Sequence, residues 1–200
     1  MSDTIELARQ ALRAALEIRK RVGKAIWEPI CIFDLAESLG VEVKFFRGHS
    51  FEGMYAQTTQ TIFVPTLRPR GRQAFTCVHE LGHWHFKHGT CIEELKFFDI
   101  QYNRKRDEQL ANFFAAHLLM PSWAVKKAFL TRNYEPETCT ALEFYTIAGQ
   151  LGVGYGTLAT HLRFSLGLIS PQQFRQLLKS TPKQIREAVL AARGRSPFFS

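Results

Sequence analysis

The sequence predicts an α+β fold in which a small, mostly antiparallel sheet packs on a histidine-bearing helix and on a second helix carrying a carboxylate. A helical C-terminal region with helix-turn-helix cadence follows. Three observations predict it. Residues 41–66 hold three short β-rich stretches; HELGHWHFKH and RDEQLANFFAAHLLMP have helical spacing; and ALEFYTIAGQLGVGYGTLATHL reads as helix, glycine turn, helix. The change of texture after Pro136 divides the chain into 1–135 and 136–200.

Residues 3–22 place Ile5, Leu7, Ala8, Leu12, Ala15 and Leu16 at helical intervals behind a Ser-Asp start that can cap them. Pro29 and Asp34 introduce a shorter helix, IFDLAESLG, closed by Gly40. VEVKFF, EGMYAQ and TIFVPT are then strands broken by turn residues at Gly48 and at 58–60. Residues 53–57 are read as an edge strand able to bind an extended peptide by β-augmentation, with an ordinary internal strand as the alternative. The tail from Pro171 reads as one or two short helices ending in the basic GRSPFFS.

In HELGHWHFKH, residues 79–88, each helical position turns the chain by about 100°, so His79 and His83 share a face. By the same arithmetic His85 and His88 fall on the opposite side, as surface or packing residues. Glu80 stands one step round from His79, within reach of a water beside the pair. This is the H-E-x-x-H pattern, in which two imidazoles hold zinc and the glutamate serves as general base. Gly82 leaves room for close approach of a neighbouring element, at up to about 1 kcal/mol of helix propensity. H-E-x-x-H alone also arises by chance on amphipathic helices, so a third ligand decides the matter.

Glu108 supplies the candidate. It heads a stripe with Ala111, Asn112, Ala115 and Leu119 on a helix stopped by Pro121, and completes a His2Glu set of thermolysin-like type. Its alternative role is a solvated residue near a helix start. Asn112 is placed to hold a ligand histidine by its other ring nitrogen. His117 points away from Glu108, and Asp107, Glu93 and Glu94 are rival ligands without the helical phase. Cys77 lies about 200° from His79 and reads as a packed thiol.

The stretch GRQAFTCVHELGH at 71–83, followed by E-x-x-A-N-x-F-A-A-x-L-L-M-P at 108–121, resembles the ImmA/IrrE family of metallopeptidases. The resemblance extends through PICIFDLAESLGVEVKFF, EGMYAQTTQTIFVPT and LGVGYGTLATHLRFSLGLIS, covering most of 28–170. It implies a zincin-like domain over 1–135, with His79, His83 and Glu108 as zinc ligands and Glu80 as catalytic base. It also implies a protein substrate, a helix-turn-helix repressor of a mobile element or stress response. Asn112 departs from the Asp that related zinc peptidases often carry, and its carbonyl would make a ligand histidine less basic than a carboxylate would.

Composition narrows the classes further. At 46% hydrophobic and 22% charged residues, two hundred residues can bury a core without staples. Cysteines 31, 77, 91 and 139 form no C-x-x-C pair, the start lacks the plan of a secretion signal, and no apolar run nears the roughly 20 residues that cross a bilayer. A cytoplasmic setting without membrane partners is expected. Residues 171–200, with six Lys or Arg against one acid, and Arg68, Arg70 and Arg72 together equal the whole net charge of +8. Such stretches suit nucleic acid or an acidic partner, or are solvated faces. No internal repeat, phosphate-binding glycine loop, or Ser or Cys nucleophile motif is present.

The reading is therefore a zinc endopeptidase acting on a protein, with one zinc per chain, although manganese or another divalent ion suits the same ligands. Tyr155 and His161 are candidate oxyanion stabilisers. The rival is a DNA- or protein-binding regulatory module whose metal site is not catalytic. For the second helix of the helix-turn-helix-like unit a packing or substrate-docking role is favoured over DNA binding, because Thr157, Thr160, His161 and Arg163 make a thin base-reading set. Activity that awaits a trigger is a third reading.

Overall fold

The computed structural model describes residues 2–48, 51–89, 91–94 and 102–193. The chain divides into two compact units, Met1–Val125 and Lys126–Ser200, about ten residues earlier than the change of texture at Pro136. Among the described residues no helix is long and apolar enough to cross a membrane.

The first unit opens with α1 (Ser2–Arg21) and α2 (Ile32–Ser38). Leu7, Ala11, Ala14, Ala15 and Ile18 of α1 are buried, whereas Ile5, Leu12 and Leu16 of the expected apolar set are exposed, so the buried face is turned from the one read off the sequence. Strands β1 (Glu42–Phe46), β2 (Phe51–Ala56) and β3 (Thr61–Pro65) follow, then α3 (Arg70–Phe86), β4 (Cys91–Glu94) and α4 (Tyr102–Leu119). The sheet order is β1-β3-β2-β4, with β1 parallel to β3 and the other two pairings antiparallel. The expected small sheet is thus mixed.

β2 is an internal strand, because β4 pairs along its other side from Tyr55 opposite Cys91 to Phe51 opposite Glu94. The edge-strand reading of 53–57 is therefore corrected. Among the described residues the sheet edges are β1 and β4. The register slips between Phe51 and Gly53, and the side chain of Glu52 at this bulge is held by Arg68 and Arg72. Two of the three arginines Arg68, Arg70 and Arg72, which lie before and in the first turn of α3, are thereby engaged within the fold.

α3 packs on β2 and β3 and also on α4, which in turn packs on α1. Arg19 of α1, only 1% exposed, ties this layer together. Its Nε and Nη2 donate to Leu118 O at 3.1 and 2.8 Å, and its Nη1 donates to Ala25 O and Glu28 O. Carbonyls at the end of α4 lack helical partners, and the guanidinium fork satisfies one of them. Burial lowers the Arg19 pKa to about 10, although Glu28 opposes the shift.

α5 (Ser122–Thr131) starts directly after Pro121, a helix not expected from the sequence, and spans the division between the units. The second unit continues with α6 (Ala141–Gln150), α7 (Tyr155–Thr160), a π-helical turn at His161–Ser165, α8 (Pro171–Leu178) and α9 (Pro182–Arg193). A reciprocal capping box of Thr140 and Glu143 opens α6, and Ser170 caps α8 with Pro171 in its first turn. Gly152, at φ 68°, makes the turn between α6 and α7. Phe144, Ile147, Leu158, Leu162 and Leu177 form the core of this unit.

Candidate metal centre

His79 and His83 lie on the buried stretch of α3 with 2% and 1% of their side chains exposed, and Glu108 meets them from α4 with 29% exposed. The helices can approach this closely because of Gly82. A Cβ there would stand 3.2 Å from Ala111 Cα and 3.2 Å from Phe114 Cδ1. The room that the sequence assigns to this glycine is filled by the ligand-bearing neighbour.

The three side chains converge on one point. His79 Nε2 lies 3.1 Å from His83 Nε2 and 3.1 Å from Glu108 Oε2, while His83 Nε2 is 3.6 Å from Glu108 Oε1. Ligands about 2.05 Å from a tetrahedral ion are separated by about 3.3 Å, so these spacings match three corners of such a site. Two imidazoles and a carboxylate are also a donor set that zinc accepts. The group of metal-ligating side chains found among the described residues is this triad, with no fourth protein ligand. Burial opposes ionisation of Glu108, but hydrogen bonds and charge from His79 and His83 outweigh it and hold the carboxyl well below the usual carboxylate range.

Glu80, on the next position of α3, is fully buried. Gly53 of β2 passes directly over it, so that a Cβ at Gly53 would overlap Thr76 Cγ2 and stand 2.9 Å from Glu80 Oε1. The bulged strand and the glycine together make the space in which that carboxylate lies. Cys77 is a fully buried thiol whose pKa is raised, mainly by burial, in keeping with a packing role. His85 stacks on Phe114 with ring centroids 5.6 Å apart, and His117 stands outside the triad. Burial lowers the pKa of both.

Two expectations need correction. Asn112 is exposed and makes no hydrogen bond to a ligand histidine among the described residues, because the inward face of α4 runs through Ala111, Phe114 and Ala115. His88 does not lie on the far side of α3. The helix ends at Phe86, Lys87 adopts a left-handed conformation (φ 59°, ψ 42°), and the chain turns back. His88 Nδ1 then stands 2.9 Å from His83 Nδ1, while His88 Nε2 faces Asp107 Oδ1 at 3.4 Å. Burial lowers the His88 pKa against the opposing pull of Asp107. Asp107, weighed as a rival ligand, thus faces His88. The side chains of Cys91, Glu93 and Glu94 lie outside the described residues.

In the second unit, Tyr155 is buried and its hydroxyl donates to Leu177 O at 3.0 Å; burial raises its pKa to about 12. His161 is buried at the start of the π-helical turn.

Among solved structures, a Mycobacterium tuberculosis transcriptional regulator shares the fold with a TM-score of 0.51 at 16% identity, over 84% of this chain and 48% of that one. The chain thus spans about half the length of that regulator, and at this identity the likeness concerns fold alone. No curated protein matches the sequence. Residues 36–163, well over half of the chain, match the peptidase M78 family in its IrrE N-terminal-like domain. With the H-E-x-x-H helix and the converging glutamate inside the matched region, the chain belongs to that family, the ImmA/IrrE metallopeptidases.

Proposed function

We propose that this protein is a cytoplasmic zinc-dependent endopeptidase that hydrolyses a peptide bond in a protein partner, a helix-turn-helix transcriptional repressor. The observation that carries the hydrolytic part is the convergence of His79 Nε2, His83 Nε2 and a Glu108 carboxylate oxygen at tetrahedral spacing, beside the buried carboxylate of Glu80. The repressor as substrate is supported by the family membership and by a shared fold with a protein named as a transcriptional regulator.

His79, His83 and Glu108 would hold the ion, with manganese or another divalent ion able to take its place. When bound there, zinc supplies Lewis-acid polarisation of the scissile carbonyl and acidifies the attacking water. Glu80 accepts the proton that this water loses and delivers it to the departing amine nitrogen, so one carboxylate serves both halves of the reaction. The overhead passage of β2 at Gly53 keeps that carboxylate in place. The two oxyanion candidates, Tyr155 and His161, both belong to the second unit, where the Tyr155 hydroxyl donates to Leu177 O.

The test is metal content of the purified protein beside Glu108→Ala, followed by incubation with the helix-turn-helix regulator encoded nearest to it. We expect about one zinc per chain, mostly lost in Glu108→Ala, and a single cut in the regulator that Glu80→Gln abolishes while keeping its zinc. A metal-free protein from a chelator-free preparation, or normal cleavage by Glu80→Gln, would overturn the reading. Salt-dependent, sequence-selective DNA binding without cleavage would favour a regulatory module instead.

A further inference from the structure

We propose that His88 and Asp107 form a positioning pair that fixes the ring tautomer of His83, leaving its Nε2 lone pair free to face His79 and Glu108. The inference rests on the metal reading above and adds two residues that neither the H-E-x-x-H motif nor the ligand triad contains.

Two imidazole nitrogens 2.9 Å apart can form a hydrogen bond only when one carries a proton and the other does not. If His83 Nε2 is to be a metal ligand it must be unprotonated, so a neutral His83 carries its proton on Nδ1. His83 Nδ1 is then the donor and His88 Nδ1 the acceptor. A neutral His88 accepting at Nδ1 carries its own proton on Nε2, the atom that faces the Asp107 carboxylate at 3.4 Å. Each atom in the chain Asp107, His88, His83 therefore has one consistent role. The reverse assignment would place the His88 Nε2 lone pair against a carboxylate and a proton on the His83 nitrogen that an ion must occupy.

The backbone builds this contact independently of the rings. His88 N–H donates to His83 O at 3.0 Å and Lys87 N–H donates to Trp84 O, the paired bonds of a Schellman ending. Lys87 occupies the left-handed region, which disfavours side-chain-bearing residues by about 1–2 kcal/mol, and this conformation turns His88 back beneath His83. The His88 ring is further stacked on Phe86, with centroids 5.7 Å apart. Asp107 is the residue directly before Glu108. The first turns of α4 thus present one carboxylate to the ligand pair and the next to the residue that orients it. Histidine ligands commonly donate their second ring N–H to such a partner, which sets ring orientation and basicity.

The test uses the full-length chain with histidine rings labelled with ¹⁵N, and has two readouts. In zinc-loaded protein, ¹⁵N–¹H correlation spectra report whether the His83 Nδ1–H is hydrogen-bonded and shielded from exchange. We expect a slowly exchanging Nδ1–H in the wild type and fast exchange in His88→Phe, which keeps a ring against Phe86 but has no nitrogen. Asp107→Ala, which alters a half-exposed side chain, should weaken the same protection. Zinc affinity measured by chelator competition should fall about 10–100-fold in His88→Phe. His88→Asn, whose carbonyl oxygen can accept in place of Nδ1, should recover most of that loss. An unprotected His83 Nδ1–H in the wild type would overturn the proposal, as would His88→Phe binding zinc like wild type. Failure of the wild type to bind zinc would overturn the metal reading on which the pair rests, whereas zinc binding with an unprotected Nδ1–H would overturn the pair alone.

Discussion

Replacing Gly82 with alanine sets two known effects against each other at the contact that joins the ligand-bearing helices. The substitution raises helix propensity by about 1 kcal/mol. The added Cβ, however, meets Ala111 Cα and Phe114 Cδ1 at 3.2 Å and Ala111 Cβ at 3.3 Å, whereas carbon atoms rest about 3.5–4.0 Å apart. Ala111 and Phe114 are fully buried, and one of the crowded atoms is backbone, so relief requires α3 and α4 to separate by a few tenths of an ångström. Overpacking of this kind costs about 1–3 kcal/mol, which leaves a net destabilisation of up to about 2 kcal/mol. The larger consequence concerns the metal, since His79 and His83 come from one helix and Glu108 from the other. If about 1.4 kcal/mol of the strain is felt only when the three ligands close on an ion, zinc affinity falls about tenfold. Chelator competition and thermal melts with and without zinc measure both quantities. We expect affinity to fall more than zinc-free stability does. A variant that melts higher than wild type and binds zinc equally well would refute the close-contact argument.

Gly53→Ala should act on catalysis and spare the metal. Its methyl group displaces Glu80, and a misplacement near 1 Å costs about 100-fold in rate, so full zinc content with wild-type cleavage would refute this role for the strand. Arg19→Met should destabilise the first unit by about 3 kcal/mol in urea melts, because Leu118 O, Ala25 O and Glu28 O all lose their donor; a loss under 1 kcal/mol would show that water replaces it. His85 and His117 have pKa values below the ordinary imidazole value because burial disfavours the charged ring. As pH falls below about 6.5 the unfolded chain therefore takes up protons first, and their contribution to stability declines until the folded values are passed. Zinc-free melts between pH 7.5 and 5.5 should show a shallower acid slope in His85→Gln/His117→Gln than in wild type; equal slopes would refute the assignment.

What is legible in the sequence is local. The i, i+4 relation of His79 and His83 depends only on helix pitch, and Glu108 can be phased against Ala111 and Ala115 on its own helix. Gly82 signals a close neighbour, which is the backbone of Ala111. Asn112 is misplaced because a stripe at helical spacing is wide enough to admit both Ala111 and the residue after it. Contact at Gly82 instead turns the inward face of α4 toward Ala111, Phe114 and Ala115, and leaves Asn112 to solvent. The internal position of β2 is not legible, since CIEE lacks strand composition and the pairing joins residues about forty positions apart.

The position of His88 shows where helix arithmetic stops being valid. Rotation by 100° per residue applies only while φ and ψ stay helical, and at Lys87 they do not. A chain that ends a helix through a left-handed residue reverses direction, so the second residue past the end comes back under the last turn and not onto the far side. That reversal turns a histidine assigned to the opposite face into a neighbour of a ligand. Gly89, also at positive φ, marks the same ending in the sequence, and the KHG at 87–89 taken as a helix stop brings His88 under the last turn of α3. The residues around this centre therefore follow two rules at once: the ligands follow helix pitch, and the residue that orients one of them follows the way the helix terminates.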